Sequence, residues 1–186
     1  KPKPTVEPAS ASNNTLSLRT SPQTGVAIST DSASPKKDSF FRTMTAEEYK
    51  NTLIELTRMK TAYNNHCPKN LGYVAYDGTR SFDCWNLVKA ILNGYDIHNN
   101  TVGYFQKNLS KTGDCDGAGL LKQCSHVSTD FSSLGNEVKY LYMPGHAGSY
   151  IGYMEVSGHA YNVIECTGSW TRNVLLSWVD SDGTRR

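Results

Sequence analysis

From Thr45 onward, apolar positions fall first at helical and then at strand spacing. Thr45-Ala46-Glu47-Glu48 reads as a capping box, in which the Thr45 hydroxyl accepts from the Glu48 amide and the Glu48 carboxylate reaches back. Tyr49, Leu53, Leu56, Met59 and Tyr63 then recur at spacings of four and three. They make one apolar stripe, ended by Asn64-Asn65, whose role is core packing. Residues 66–82 have no helical period and contain Pro68, Gly72 and Gly78, which predicts a loop. Leu87, Val88, Ile91 and Leu92 fit the buried face of a second helix that Gly94 stops. Cys84 falls at the start of that helix, after Asp83. Residues 95–135 are polar, with one short helix expected near 118–123. The period then changes. Residues 137–143, 147–153, 161–167 and 173–179 are short, rich in Tyr, Val and Ile, and separated by Gly, Pro or Ser. They predict four antiparallel strands. Helices first and strands later give an α+β domain with its helices on one side of the sheet.

Composition divides the chain. Residues 1–43 hold five of the seven prolines and no Cys, Trp or Tyr, with a charge of +3. Residues 44–186 hold all five Cys, all three Trp and all eleven Tyr, with a charge of −1. The first part reads as a linker, tail or pro-segment, and the second as the folded domain. Within the first part, Thr15 to Pro22 and Gly25 to Thr30 alternate weakly about a Pro-containing turn, which allows a small hairpin. As a pro-segment, residues 1–43 would lie across the domain near Cys84. The chain opens at Lys1 without Met or an apolar leader, so a processed or trimmed form is expected.

A net charge of +2 does not suggest a nucleic-acid or polybasic membrane binder. No apolar run approaches the ~20 residues of a spanning helix. An odd number of cysteines leaves at least one thiol unpaired or paired with another chain, and does not decide the compartment. Cys67, Cys115, Cys124 and Cys166 suffice for up to two disulfides, with pairing among Cys67, Cys115 and Cys124 favoured over a zinc site. Cys115, Cys124 and His126 with His66-Cys67 do not have the spacing of a standard zinc knuckle, so no metal is expected.

Cys84, His146 and Glu165 form the strongest chemical constellation. Unpaired amides and the helix dipole at a helix start favour a thiolate. His146 follows Pro144-Gly145 and opens one predicted strand, and Glu165 lies in the next. If those strands form a hairpin, the two side chains share a face. A Cys–His pair oriented by a third polar group is an arrangement for acyl transfer. The ordinary alternative is a buried structural Cys and a solvated His. Cys166, one residue on from Glu165, is expected on the opposite face as a small buried hydrophobe, and Trp170 and Trp178 as core or rim.

Phe82-Asp83-Cys84-Trp85-Asn86-Leu87-Val88 resembles the nucleophile motif of NlpC-type papain-like cell-wall peptidases. Gly145-His146-Ala147-Gly148-Ser149-Tyr150-Ile151-Gly152 is similar to their histidine strand. Val163-Ile164-Glu165-Cys166-Thr167-Gly168-Ser169-Trp170 and Ser128-Thr129-Asp130-Phe131-Ser132 resemble segments of the phage-endolysin branch. The resemblance spans roughly residues 63–179. Thr15 to Pro22 also resembles the opening of bacterial Src-homology-type wall-binding repeats, against a plain linker.

The resemblance implies a papain-like α+β fold with Cys84 as nucleophile, His146 as general base and then acid, and Glu165 orienting His146. It implies that Tyr73 faces the cysteine, that the Cys84 amide contributes to the oxyanion hole, and that Asp83 and Trp85 border the substrate. The activity implied is a peptidoglycan hydrolase, secreted or delivered to the cell wall. It would cut a stem-peptide amide, either γ-D-glutamyl to diamino acid or muramoyl to L-alanine, as a monomer and without a cofactor. A papain-like enzyme acting on a lipid or protein amide, or a non-catalytic wall-binding module, are the alternatives. The sequence departs from the family at Asn86, where Gly is usual, and at Ser149, where an apolar residue is usual. An insertion at 153–158 lengthens the hairpin and makes His159-Ala160 a rival to Glu165 as third residue.

Overall fold

The computed structural model describes residues 15–16, 19–20, 23–24, 26–29, 40–41, 44–64, 79–100 and 115–186. Four short strands come first: β1 (Thr15–Leu16), β2 (Arg19–Thr20), β3 (Gln23–Thr24) and β4 (Val26–Ser29). They nest as an antiparallel hairpin, β1 with β4 and β2 with β3. Downstream, Phe40 and Phe41 are buried, and their rings meet Tyr140 and Tyr49.

Helix α1 (Ala46–Thr57) starts as its sequence predicts, with the Thr45 hydroxyl accepting from the Glu48 amide at 3.1 Å. It buries Tyr49, Leu53 and Leu56, each aliphatic side chain contributing about 1.5–3 kcal/mol. The helix is shorter than its stripe. The Arg58 amide closes onto the carbonyls of Glu55 and Leu56, and the Thr57 hydroxyl bonds the Ile54 carbonyl. Tyr63, expected on the helix, lies instead in β5 (Thr61–Tyr63). This strand pairs in parallel with β6 (Arg80–Phe82), within the stretch expected to be a loop. Long-range pairing with β6 overrides the helical spacing there.

Helix α2 (Cys84–Leu92) buries nearly every side chain, and the short α3 (Gly117–Leu121) follows. The four expected strands then appear as β7 (Lys139–Met143), β8 (His146–Val156), β9 (His159–Cys166) and β10 (Val174–Ser177). They form an antiparallel sheet that β4 extends by pairing with β7, giving the order β1-β4-β7-β8-β9-β10. Residues 153–158 form the end of β8 and the turn of the β8–β9 hairpin, with Met154 opposite Tyr161 and Val156 opposite His159. Ser157 and Gly158 both take positive φ, 52° and 77°, at its two-residue turn, the geometry that matches strand twist.

Period-two alternation assigns the sheet faces. Tyr140, Ala147, Ile151, Ile164, Cys166 and Val174 pack with α1 and α2 in the main core. Ser149 is on the same side, joined to the Tyr49 hydroxyl at 2.7 Å. Leu141, Tyr150 and Val163 form a smaller cluster on the other side with Phe131 and Val179. The fold is therefore mixed α+β, with its helices in one layer against an antiparallel sheet. No described helix is long and apolar enough to cross a membrane.

After β10 the chain doubles back. Val179 bridges Arg185, the Trp178 and Arg186 backbones exchange hydrogen bonds at 2.8 Å, and Gly183 turns with φ 85°. Asn162 clasps Val179 from β9, its Oδ1 accepting from the Val179 amide at 2.8 Å and its Nδ2 donating to the Val179 carbonyl at 3.0 Å.

Candidate active site

Asp83 caps α2. Its two carboxylate oxygens accept from the Asn86 amide and from Asn86 Nδ2, both at 2.7 Å. That cap fixes where the helix begins and so where Cys84 sits. Cys84 is only 6% exposed. The backbone amides of Ala147, the residue after His146, of Trp85 and of Cys84 itself favour its anion. Burial, with Asp83 adding to it, nevertheless pushes the thiol up to about 12 against those amides. The helix start does favour the anion, but desolvation outweighs it, and Cys84 rests as a thiol.

His146 and Glu165 come together. The β8–β9 register pairs Ser149 with Ile164 and Tyr150 with Val163, so its continuation sets Gly148 opposite Glu165 and His146 diagonal to it. His146 Nε2 hydrogen-bonds Glu165 Oε2. An ionised carboxylate only accepts, so Nε2 carries the proton and Nδ1 is left as the ring's basic nitrogen.

Glu165 is 1% exposed. Arg185 donates to its Oε2 at 2.5 Å, and the Ser177 hydroxyl donates to Oε1 at 2.7 Å. Burial raises this carboxyl, but the hydrogen bond from His146, the Arg185 guanidinium and the Ser177 hydroxyl outweigh it and hold it below the usual range. Glu165 is therefore a buried anion with three partners.

Two residues that sequence reasoning missed border this centre. Tyr63 is one: burial first, then the charges of Cys84 and Asp83, raise its phenol, which places its hydroxyl within electrostatic reach of the nucleophile. Its ring covers Gly168, where a Cβ would lie 2.9 Å from Tyr63 Cε1, and the Arg172 guanidinium lies 5.6 Å from the ring centroid. The signal was the run Lys60-Thr61, a β-branched start that breaks the helical reading. Arg185 is the other. Asp182-Gly183 is a turn signal that folds the following residues back along β10.

The remaining expected residues are distributed as follows. Tyr73 lies outside the described residues. Trp85 is half-buried and packs at Gly117, where a Cβ would stand 3.1 Å from Trp85 Cε3 and 3.0 Å from Tyr142 Cε2. His159 sits at the β8–β9 turn, exposed, hydrogen-bonded through Nδ1 to the Ser157 carbonyl at 3.0 Å. It is at the opposite end of the hairpin from His146, so the structure does not bring these two together. Cys166 is buried on the face opposite Glu165, its thiol donating to the Phe82 carbonyl at 3.2 Å. Trp170 is a rim residue, 56% exposed, with the Arg185 guanidinium 5.2 Å from its ring centroid. Trp178 Nε1 donates to Asp180 at 2.8 Å.

Cys115 accepts from Gln123 and Cys124 donates to the Leu120 carbonyl, both at 3.4 Å, while His126 is exposed. His66 and Cys67 fall outside the described residues. Among the described residues no group of three or more His, Cys, Asp or Glu side chains is arranged to hold a metal.

Chemically, the centre holds a thiol at a helix start, an imidazole with one nitrogen committed to a buried carboxylate, and backbone amides at the sulfur. That set is suited to proton transfer from sulfur to imidazole and attack on a carbonyl. No family model, curated protein or solved structure matches the chain.

Proposed function

We propose that this chain is a cysteine hydrolase of the papain-like, NlpC-type kind that cuts an amide bond in the stem peptide of bacterial peptidoglycan. The observation that carries the proposal is the hydrogen bond of His146 to buried Glu165 at the start of β8, with Cys84 opening α2 where the backbone amide of the next residue, Ala147, favours its anion. The motifs around these residues resemble the NlpC nucleophile and histidine segments, and the helix layer against an antiparallel sheet is compatible with a papain-like fold.

In this mechanism, binding of the substrate carbonyl brings the thiol proton to His146 Nδ1. The Ala147 amide and the start of α2 stabilise the sulfur anion as it forms. Sulfur attacks the amide carbon, and the Cys84 amide receives the developing oxyanion. The imidazolium then gives its proton to the leaving amine. Water attacks the acyl-enzyme with His146 again as base, and the acid product leaves. Glu165 holds the Nε2 tautomer throughout. Such an enzyme acts where cell wall is present, whether secreted or delivered there.

Mass spectrometry of muropeptides digested by the protein tests the proposal. New amino termini at the diamino acid identify an endopeptidase. Release of whole stem peptides from muramic acid identifies an amidase. Unchanged muropeptides, with Cys84 still reactive toward iodoacetamide, would reject the wall substrate and favour a lipid or protein amide.

A further inference from the structure

A carboxylate beside an imidazole has two effects that pull apart. It fixes the ring's orientation, and it favours the imidazolium. A His146 already protonated cannot accept the Cys84 proton. The pull is strong here because Glu165 is almost wholly buried, so water does little to screen it.

The same carboxylate oxygen that receives His146 Nε2 also receives Arg185, at 2.5 Å. A guanidinium stays charged across the working pH range. Glu165 and Arg185 together therefore carry no net charge. We propose that Arg185 is a positioning residue that cancels the charge of Glu165, so that Glu165 orients His146 as a neutral acceptor would. The inference rests on the reading of His146 as the base for Cys84.

Arg185 is held in advance for this task. Its backbone bridges Val179, which Asn162 clasps from β9. Its guanidinium lies along the Trp170 ring. The Ser177 hydroxyl takes the other carboxylate oxygen, so Glu165 cannot rotate away. Among the described residues, the other titratable groups around the centre do not substitute for Arg185. On α2, Cys84 is an uncharged thiol and Asp83 is turned to Asn86. On β5, Tyr63 is an uncharged phenol. The nearby cations are turned elsewhere: Arg172 lies over the Tyr63 ring and donates to the Gly168 carbonyl at 2.9 Å, and Lys89 donates to the Cys115 carbonyl at 2.5 Å.

The test is the titration of the His146 ring, followed by NMR of its imidazole in a Cys84→Ala background, where no turnover or substrate intervenes. Arg185→Gln keeps a hydrogen-bond donor but removes the charge, and should raise the His146 midpoint by at least about one pH unit. Arg185→Lys keeps the charge but loses the planar fork, and should leave the midpoint within a few tenths of the parent. Near-UV circular dichroism checks that each variant is folded. An unmoved midpoint in Arg185→Gln overturns the proposal. So does a Lys variant whose midpoint rises by about one pH unit, a reading that decides the matter alone if the Gln variant fails to fold. Wall digestion by the unsubstituted protein is read separately. Intact walls with a midpoint that moves as stated would reject the substrate and uphold the role of Arg185. Digested walls with an unmoved midpoint would do the reverse.

Discussion

Gly148 leaves open the space beside Glu165: a Cβ added at Gly148 would stand 3.2 Å from the Glu165 Cβ. The carboxylate reaches His146 along the strip of β8 that this glycine vacates. Gly148→Ala should therefore fold but tilt the Glu165–His146 pair by a few tenths of an ångström. We expect wall-hydrolysis turnover to fall roughly tenfold or more, with a melting temperature within a few degrees of the parent. An unchanged rate would mean that the pair tolerates displacement.

Cys84→Ala should abolish wall lysis, because no other group at the start of α2 can form the acyl intermediate. The lost sulfur is small and lies at the end of a helix, so the stability cost should be about 1 kcal/mol. Turbidity loss of purified walls and a urea melt, measured on one preparation, check both halves. Lysis above a few per cent of the parent rate would remove Cys84 as nucleophile.

Glu165→Gln and His159→Ala separate the two rivals for the third position. The Gln variant should lose turnover by at least about a hundredfold and stability on the order of 2 kcal/mol. The Ala variant should match the parent, because His159 is solvated at a turn. The carboxyl also predicts an acid limb. Its folded value lies below its unfolded one, so its stabilisation is complete above about pH 4.3 and is lost as pH falls through the lower, folded value. Thermal melts between pH 3 and 6 should show a steeper acid loss for the parent than for Glu165→Gln. A His159 variant more damaged than the Glu165 variant would reverse the assignment.

Lys139 should leave an opposite mark at alkaline pH. Its side chain is buried in β7, donates to the Glu137 carbonyl at 3.1 Å, and lies 5.4 Å from the Tyr150 ring centroid. Burial lowers it to about 8, with Glu137 opposing. The folded state thus pays for a buried cation below pH 8, and that cost is relieved between the folded value and the unfolded value near 10.4. Relative to Lys139→Met, the parent should gain about 2 kcal/mol between pH 7 and 9.5. The difference between the two proteins is the quantity to read, because the thiols and phenols titrate in both. A difference flat with pH would show that Lys139 is charged and paid for elsewhere.

Much of this architecture is local enough to be legible in the sequence. Thr45 and Glu48 mark the start of α1, Asp83 and Cys84 the start of α2, and alternation in residues 137–179 marks the four strands. Their pairing follows from short turns, so His146 and Glu165 could be set on one face before any coordinates. What escaped depends on contacts distant in sequence. Tyr63 continues a helical spacing, yet pairing with β6 draws it into a strand beside Cys84. Arg185 lies in a polar stretch whose composition suggests only solvent, and its partner is twenty residues upstream. The effect of burial on Cys84 is hidden from the sequence for a related reason. A helix start can be read from sequence, whereas the depth of burial at that start depends on what packs over it.

The return of the chain after β10 also governs when the centre becomes complete during synthesis. Cys84, His146 and Glu165 all emerge from a ribosome before Arg185 does. Until it emerges, a nascent chain that has formed its β8–β9 hairpin holds the Glu165 carboxylate beside His146 without its guanidinium partner. Local hairpins close early, and contacts between distant residues come last. A chain arrested or clipped before Arg185 would therefore contain Cys84, His146 and Glu165 and yet lack the cation that pairs with Glu165.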